Sequence, residues 1–384
     1  MRRTLMSFRS VGMFGLILFA LGCSFFSSGA ATQAPQGTVA KTAVHTPGSA
    51  AAPTGEPSPV VIPELKDMGR IAFSSIRENG LPDIYLMNAD GGDVKLLAGT
   101  PGETDLHPVW SPDGEWIAFI GSGEGGTFDV FRIRPDGSGL INLTNNPADE
   151  SFFDWSPDGS QIVFSSDRSG NYDLYTMHAD GSNAKQLTKT GDQDEVEPAW
   201  SPNGDVIGCL CGPSDGNAGD ICLVNADGSG ETNLTPDDPD VDDFIWSPDG
   251  SRIAFGMPIF PEEIWMMGAD GSGKDNLSNN PADDGGIAFS PDGTMIAFRS
   301  DRDGKTNQIY ILRLEDSFIY PLTDNELVNV QPAWSPDGTW VVFISAKSLG
   351  EFDFEIYAVR VDGEGLANLT NNPGKDMDPD WEPI

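Results

Sequence analysis

Carboxylates dominate the chemistry this chain of 384 residues could do. It holds 41 Asp and only 18 Glu against 22 Lys and Arg, for a formal net charge of −37. Asp242–Asp243 and Asp283–Asp284 each set two carboxylates side by side. Such pairs supply the oxygen ligands that a hard cation such as Ca²⁺ takes. Left unliganded, the same acids form a solvated surface or receive a basic partner. His107 precedes Pro108 ahead of a Trp, whereas His178 sits by an Asp-Gly turn. Cys209, Cys211 and Cys222 fall within one short stretch, and Cys23 stands alone near the start. No phosphate-binding loop and no zinc spacing appears. The charge argues against nucleic acid and anionic lipid headgroups, because both need a basic footprint.

What positions these residues is a repeat. Ser-Pro-Asp-Gly begins at Ser111, Ser156, Ser247, Ser290 and Ser335, with Ser-Pro-Asn-Gly at Ser201. A Trp precedes it at Trp110, Trp155, Trp200, Trp246 and Trp334, and Phe289 takes that place once. An apolar run follows, as at Ile117-Ala118-Phe119, then a second run such as Asp173-Leu174-Tyr175, an Asp-Gly turn and a short Leu-Thr segment. Pro presets φ in the turn, Asp suits its next position, and Gly accepts positive φ. Each unit of about 45 residues therefore reads as four short strands, the signature of a propeller blade. The units begin at an Ile-Ala-Phe strand, Ile71-Ala72-Phe73, and end at a Trp strand, Asp380-Trp381. The last strand should complete the first blade and so remove two exposed edges. The reading is all-β: a propeller of seven four-stranded blades over 68–384, with six blades and a stray unit as the alternative.

The first 22 residues read as an export signal. Arg2, Arg3 and Arg9 precede a short apolar run, and Phe19-Ala20-Leu21-Gly22 leads into Cys23. This segment resembles a bacterial lipoprotein signal, which implies lipidation at Cys23 and a lipid anchor to the cell envelope. Residues 23–67 are rich in Pro, Ala and Thr and cannot bury enough apolar surface to order themselves. They read as a tether with a root-mean-square reach of about 35 Å.

The unit Pro-x-Trp-Ser-Pro-Asp-Gly-x-x-Ile-Ala-Phe resembles the TolB-type WD-like β-propeller repeat. Ser165-Ser166-Asp167-Arg168-Ser169-Gly170-Asn171-Tyr172-Asp173-Leu174-Tyr175 is especially similar to that family's segment between the second and third strands. The resemblance spans nearly all of residues 69–384. It implies a periplasmic or outer-surface protein whose propeller binds other envelope proteins. The family's namesake carries an α/β domain ahead of six blades, so its partners are not carried over to this chain. Similar propellers accompany prolyl-oligopeptidase-like hydrolases and form oligogalacturonate lyases. A lyase of that kind would gather several His around a metal, and only His107 and His178 are present in the repeats.

In such a ring the loops from the fourth strand to the next Trp strand share a face with those between the second and third strands. Three places before each Trp-strand aromatic stand His107, Phe152, Glu197, Asp243, Gly286, Gln331 and Asp378. These positions are expected to converge at the mouth of the central channel. Asp242, Asp243, Asp283 and Asp284 are the candidate cation ligands. Cys209 replaces the Phe of its second strand and Cys222 the Tyr of its third. Those strands are neighbours, so an exported protein could pair Cys222 with Cys209 or Cys211, or use all three as apolar packing. The functional expectation is a monomeric, membrane-tethered binding or scaffolding module for envelope or extracellular proteins with basic surfaces. The alternative is a channel-mouth enzyme or carbohydrate-binding protein acting on polysaccharide.

Overall fold

The computed structural model describes residues 62–383 apart from 78–79, 100–102, 123–125, 214–218, 237–240, 242, 258–260 and 349–352. Among them, 28 strands form seven four-stranded antiparallel sheets. Each sheet is one repeat. The inner strand ends in the Trp (or Phe289), and the second strand is the Ile-Ala-Phe run. The outer strand is only two to four residues long.

Ring closure is the feature that settles the blade count. In blade 1 the order is Lys375–Trp381, Arg70–Ile76, Asp83–Asn88, Lys95–Ala98, with Ile71 opposite Trp381. The chain ends are further joined where Arg70 Nε donates to Glu382 at 2.9 Å. Blades 2 to 7 follow in chain order, so there are seven blades and not six.

Two local devices recur and explain much of the Asp. In Ser-Pro-Asp-Gly, the Ser hydroxyl donates to the Asp carboxylate at 2.6–2.7 Å. That hydroxyl also accepts the N–H of the residue five places on. One side chain thus holds both ends of the turn between inner and second strands. In the second device a Thr two residues beyond the outer strand locks onto the head of the third. Thr144 donates to Asp129 at 2.8 Å and accepts the Val130 N–H at 3.0 Å. Thr188 with Asp173, Thr235 with Asp220 and Thr370 with Glu355 repeat it.

The core lies between neighbouring blades. The second-strand residues Phe73, Phe119, Phe164, Phe255, Phe298 and Phe343 are all fully buried. In five blades this ring meets a third-strand aromatic at 5.5–5.9 Å. Inner-strand Trp residues also bridge blades: the Trp155, Trp246 and Trp334 indoles donate to the Val109, Ala199 and Ala288 carbonyls of the preceding blade. Ordered packing begins a little earlier than the expected tether boundary. A 3-10 turn, Pro63–Leu65, buries Leu65 in the cluster that includes Trp340 and Trp381, so residues 62–67 belong to the folded body. The signal segment, Cys23 and the tether up to residue 61 lie outside the described residues.

Candidate functional site: a ring of bulges

The inner strands carry one irregularity each, except in blade 5. Their pairing with the second strand slips between Leu106 and Val109, Glu150 and Phe153, Val196 and Ala199, Gly285 and Ala288, and Val330 and Ala333. Blade 1 slips at the equivalent place. The slipped residues include His107, Phe152, Glu197, Gly286, Gln331 and Asp378, the residues three places before each aromatic. Four of them hold left-handed backbone without being Gly: His107 at φ 56°, Glu197 at 53°, Gln331 at 52° and Asp378 at 52°. That geometry costs about 1–3 kcal/mol per residue and persists only where the surroundings over-determine it. All seven positions, Asp243 included, are half-buried.

Neighbouring positions are tied across the seams between blades. Ser74 donates to the Asp378 carboxylate at 3.2 Å, and its oxygen accepts the His107 N–H at 3.1 Å. The His107 ring stands edge-on to Phe153 at 6.1 Å. Burial raises the Asp378 pKa, and the charge of His107 opposes that rise. Asp243 accepts the Gly256 N–H at 3.0 Å and backbone N–H groups of Ile287 and Gly286 in the next blade. Burial raises its pKa as well, against the pull of Arg299.

Arg299 is the cation of the ring. It reaches Asp283 at 3.2 Å and pairs with Glu262. Two glycines make room for it. A Cβ on Gly285 would lie 2.0 Å from Glu262 Oε1, and Gly286 at φ 61° contributes no side chain where the other blades do. Inner-strand carboxylates Asp154 and Asp380 complete the lining. They accept the N–H of Trp200 and Trp110 in the next blade, each at 2.7 Å. Burial pushes both pKa values up to about 7, and the Asp154 charge adds to the rise at Asp380.

Residues at or near the start of the inner strands are a different set. They are buried and structural. In blades 1, 3 and 6 an acid faces a Ser of the second strand, and an Arg two residues beyond that Ser closes the group. Glu150 accepts from Ser166 and from Arg168, each at 2.8 Å. The Arg168 guanidinium lies 4.6 Å above the Tyr175 ring and 5.2 Å above Phe164. Asp376 with Ser75 and Arg77 repeats the group in blade 1. Asp284 with Arg302, which also bonds Ser300, repeats it in blade 6. Blade 7 substitutes a neutral amide, Asn329, which accepts from Ser345 at 2.7 Å and donates to Gln308 at 3.0 Å.

Blades 2 and 4 keep the acid without the Arg or the Ser. Asp105 faces Gly121, and Glu195 faces Cys211. Burial pushes both carboxyls up to about 7. Asp83 and Glu103 reinforce the shift at Asp105; at Glu195, Thr190 and Thr188 oppose it and Asp173 and Glu231 reinforce it.

The candidate cation ligands separate in the fold. Asp283 turns to Arg299 and Asp284 to Arg302, while Asp243 serves backbone N–H groups. Asp242 lies outside the described residues. Among the described residues no group of three or more His, Cys, Asp or Glu is arranged to hold a metal. The cysteines do come together: Cys211 and Cys222 form a disulfide with a Cα–Cα distance of 5.8 Å, and Cys209 is a buried thiol. The motif reading overlooked Ser74 and Arg299. Both stand just after the Phe of the second strand, a position filled by Ser74, Ile120, Ser165, Leu210, Gly256, Arg299 and Ile344. That variation within a fixed repeat was the available signal.

A family model described as the TolB beta propeller domain matches residues 54–256 and 244–383. The chain belongs to the TolB β-propeller family. An uncharacterized protein of Agrobacterium fabrum is 29% identical over 206 residues, which is 50% of this chain and 67% of that protein. TolB from Acinetobacter baumannii superposes with a TM-score of 0.51 at 18% identity, covering 82% of this chain and 67% of TolB. Oligogalacturonate lyase from Vibrio parahaemolyticus gives a TM-score of 0.62 at 14% identity over 77% of this chain and 87% of the lyase. At these identities the structural likeness concerns the fold alone. Peptidases of Bacillus subtilis and Porphyromonas gingivalis also align, but this chain spans only 28% and 27% of their length.

Proposed function

We propose that this TolB-like propeller is an exported, lipid-tethered binding module whose ring of bulges and surrounding loops receive a basic envelope or extracellular protein. The observation that carries the reading is the contrast between scaffold and ring. Turns, locks and core repeat from blade to blade. The ring instead presents His107, Phe152, Glu197, Asp243, Arg299 behind Gly286, Gln331 and Asp378, four of them (His107, Glu197, Gln331 and Asp378) on left-handed backbone. Varied side chains on a rigid, repeated frame are how loops on a scaffold recognise a partner.

Exposed acids of the same face, Asp192, Asp303, Asp324 and Glu326, surround the ring. They favour a partner of opposite charge and speed its encounter. Recovery of partners with the full-length protein from solubilised envelopes tests this. Rising NaCl and the double variant Asp192→Asn/Glu326→Gln should both reduce recovery. Recovery unaffected by either contradicts the reading.

A further inference from the structure

We propose that blade 4 holds a thiol–disulfide exchange site in which Cys222 can bond either Cys211 or Cys209, with Glu195 carrying the proton between the two thiols.

The register places the three sulfurs together. Cys209 and Cys211 are two residues apart on one strand and share a face. Cys222 of the adjacent strand lies directly opposite Cys209, whereas Cys211 lies opposite Asp220. The observed bond is therefore the diagonal one, Cys211–Cys222. A directly opposite antiparallel pair, such as Cys209 and Cys222, falls within the Cα–Cα range of about 4.4–6.8 Å that a disulfide spans. These are also the positions where other blades stack a Phe on a Tyr or Phe, so the pocket has room for two sulfurs in contact.

Glu195 supplies what the exchange needs. It lies directly opposite Cys211. At this position in blades 1, 3 and 7 the facing residue is a Ser that donates its hydrogen to the inner-strand side chain. With sulfur in a disulfide, Cys211 has no hydrogen to donate. Glu195 Oε2 is buried and has no hydrogen-bond partner among the described residues. Oε1 is held by Thr190. The bulge between Val196 and Ala199 interrupts the ladder beside Cys209, and the Glu195 charge acts on the Cys209 thiol.

The step balances without an outside oxidant. The Glu195 carboxylate takes the proton of Cys209. The Cys209 thiolate attacks the Cys222 sulfur; the Cys209–Cys222 bond forms and the Cys211–Cys222 bond breaks. The electron pair leaves on Cys211, which takes the proton back from Glu195. The free thiol has then moved two residues along the strand, from Cys209 to Cys211, within the same buried interblade cluster. Burial keeps the Cys209 thiol protonated, so the uncatalysed step is slow, and a carboxyl whose pKa lies near 7 suits proton transfer in both directions. Asp173 and Glu231 are the other charged groups acting on Glu195, and both favour its protonated form.

Both thiols are buried, so the test scrambles the pairing of the full-length protein in guanidinium at pH 8, refolds it at pH 7 for increasing times and traps it by unfolding at pH 5 in excess N-ethylmaleimide. Digestion and tandem mass spectrometry then read the label on Cys209 and Cys211 separately. Label should settle into a division between Cys209 and Cys211, at least about tenfold more slowly in Glu195→Gln. Label finally absent from Cys211 overturns the exchange, and an unchanged rate in Glu195→Gln removes Glu195 from it. Cys211→Ser restores the residue found in blades 1, 3, 6 and 7, so the fold should tolerate it. This variant should link Cys209 to Cys222; two alkylatable thiols after oxidative purification and unfolding would overturn the alternative pairing.

Discussion

Replacing Asp105 with Asn should stabilise the protein at pH 8 much more than at pH 5. Asp105 is 6% exposed, faces Gly121, and is crowded by Asp83 and Glu103. Burial holds its pKa at about 7 in the fold, against about 3.9 in the unfolded chain. A raised carboxyl pKa means that the unfolded chain loses its proton first. Its contribution is neutral below about pH 4 and turns against folding as pH rises from there to 7. At about 1.4 kcal/mol per pH unit, the penalty is about 1.5 kcal/mol at pH 5 and about 4 kcal/mol at pH 8. An amide cannot ionise, and blade 7 already uses Asn329 at the equivalent place. Urea unfolding followed by Trp fluorescence should show the advantage of Asp105→Asn over the parent growing by roughly 2–3 kcal/mol between pH 5 and 8. Equal differences at the two pH values would refute the assignment of Asp105 as an unpaired, buried carboxyl.

Two further outcomes rest on the same kind of geometry, and a third on the sequence around Cys23. Arg168→Leu strands Glu150, which is 1% exposed, and should cost about 3–5 kcal/mol; adding Glu150→Gln should recover most of that, and a double variant no better than the single contradicts the pairing. Ser247 and Ser251 hydrogen bonds hold the Asp249 carboxyl down at about 2. Its stabilisation is present above about pH 4 and lost as pH falls through 2. Thermal scans of Asp249→Asn should therefore lie below the parent at pH 7 and converge with it near pH 2. Cys23→Ala should release the protein from membranes into the soluble fraction, while palmitate labelling should mark the parent only.

The fold is legible in the sequence because its strongest signals are local and repeated. A Ser, a Pro and an Asp in fixed order close a turn with their own side chains, and the unmatched strands at the two ends demanded closure of blade 1. The ring was legible by counting back three residues from each aromatic, although the bulge that places these residues was not. A bulge changes which residues face each other without leaving a distinctive residue type behind. The Asp283–Asp284 pair shows the other limit. Side by side in sequence they suggest one site, but Asp284 opens the inner strand and Asp283 lies in the loop just ahead of it. Asp283 turns to an Arg 16 residues on and Asp284 to one 18 residues on. The disulfide stayed open between two partners because Cys209 and Cys211 share a face of one strand, and alternation cannot choose between them.

Photo-cross-linking from the two faces of the propeller tests the binding account most directly. A photoreactive residue placed at Asp192 or Glu326, both exposed on the face of the ring, is compared with one at Asp158 or Asp337, on the turns of the opposite face. In intact envelopes the first pair should give the same discrete protein adducts, diminished by salt, and the second pair should not. Equal adducts from both faces, or adducts from the opposite face alone, would contradict the assignment of the ring face as the binding surface.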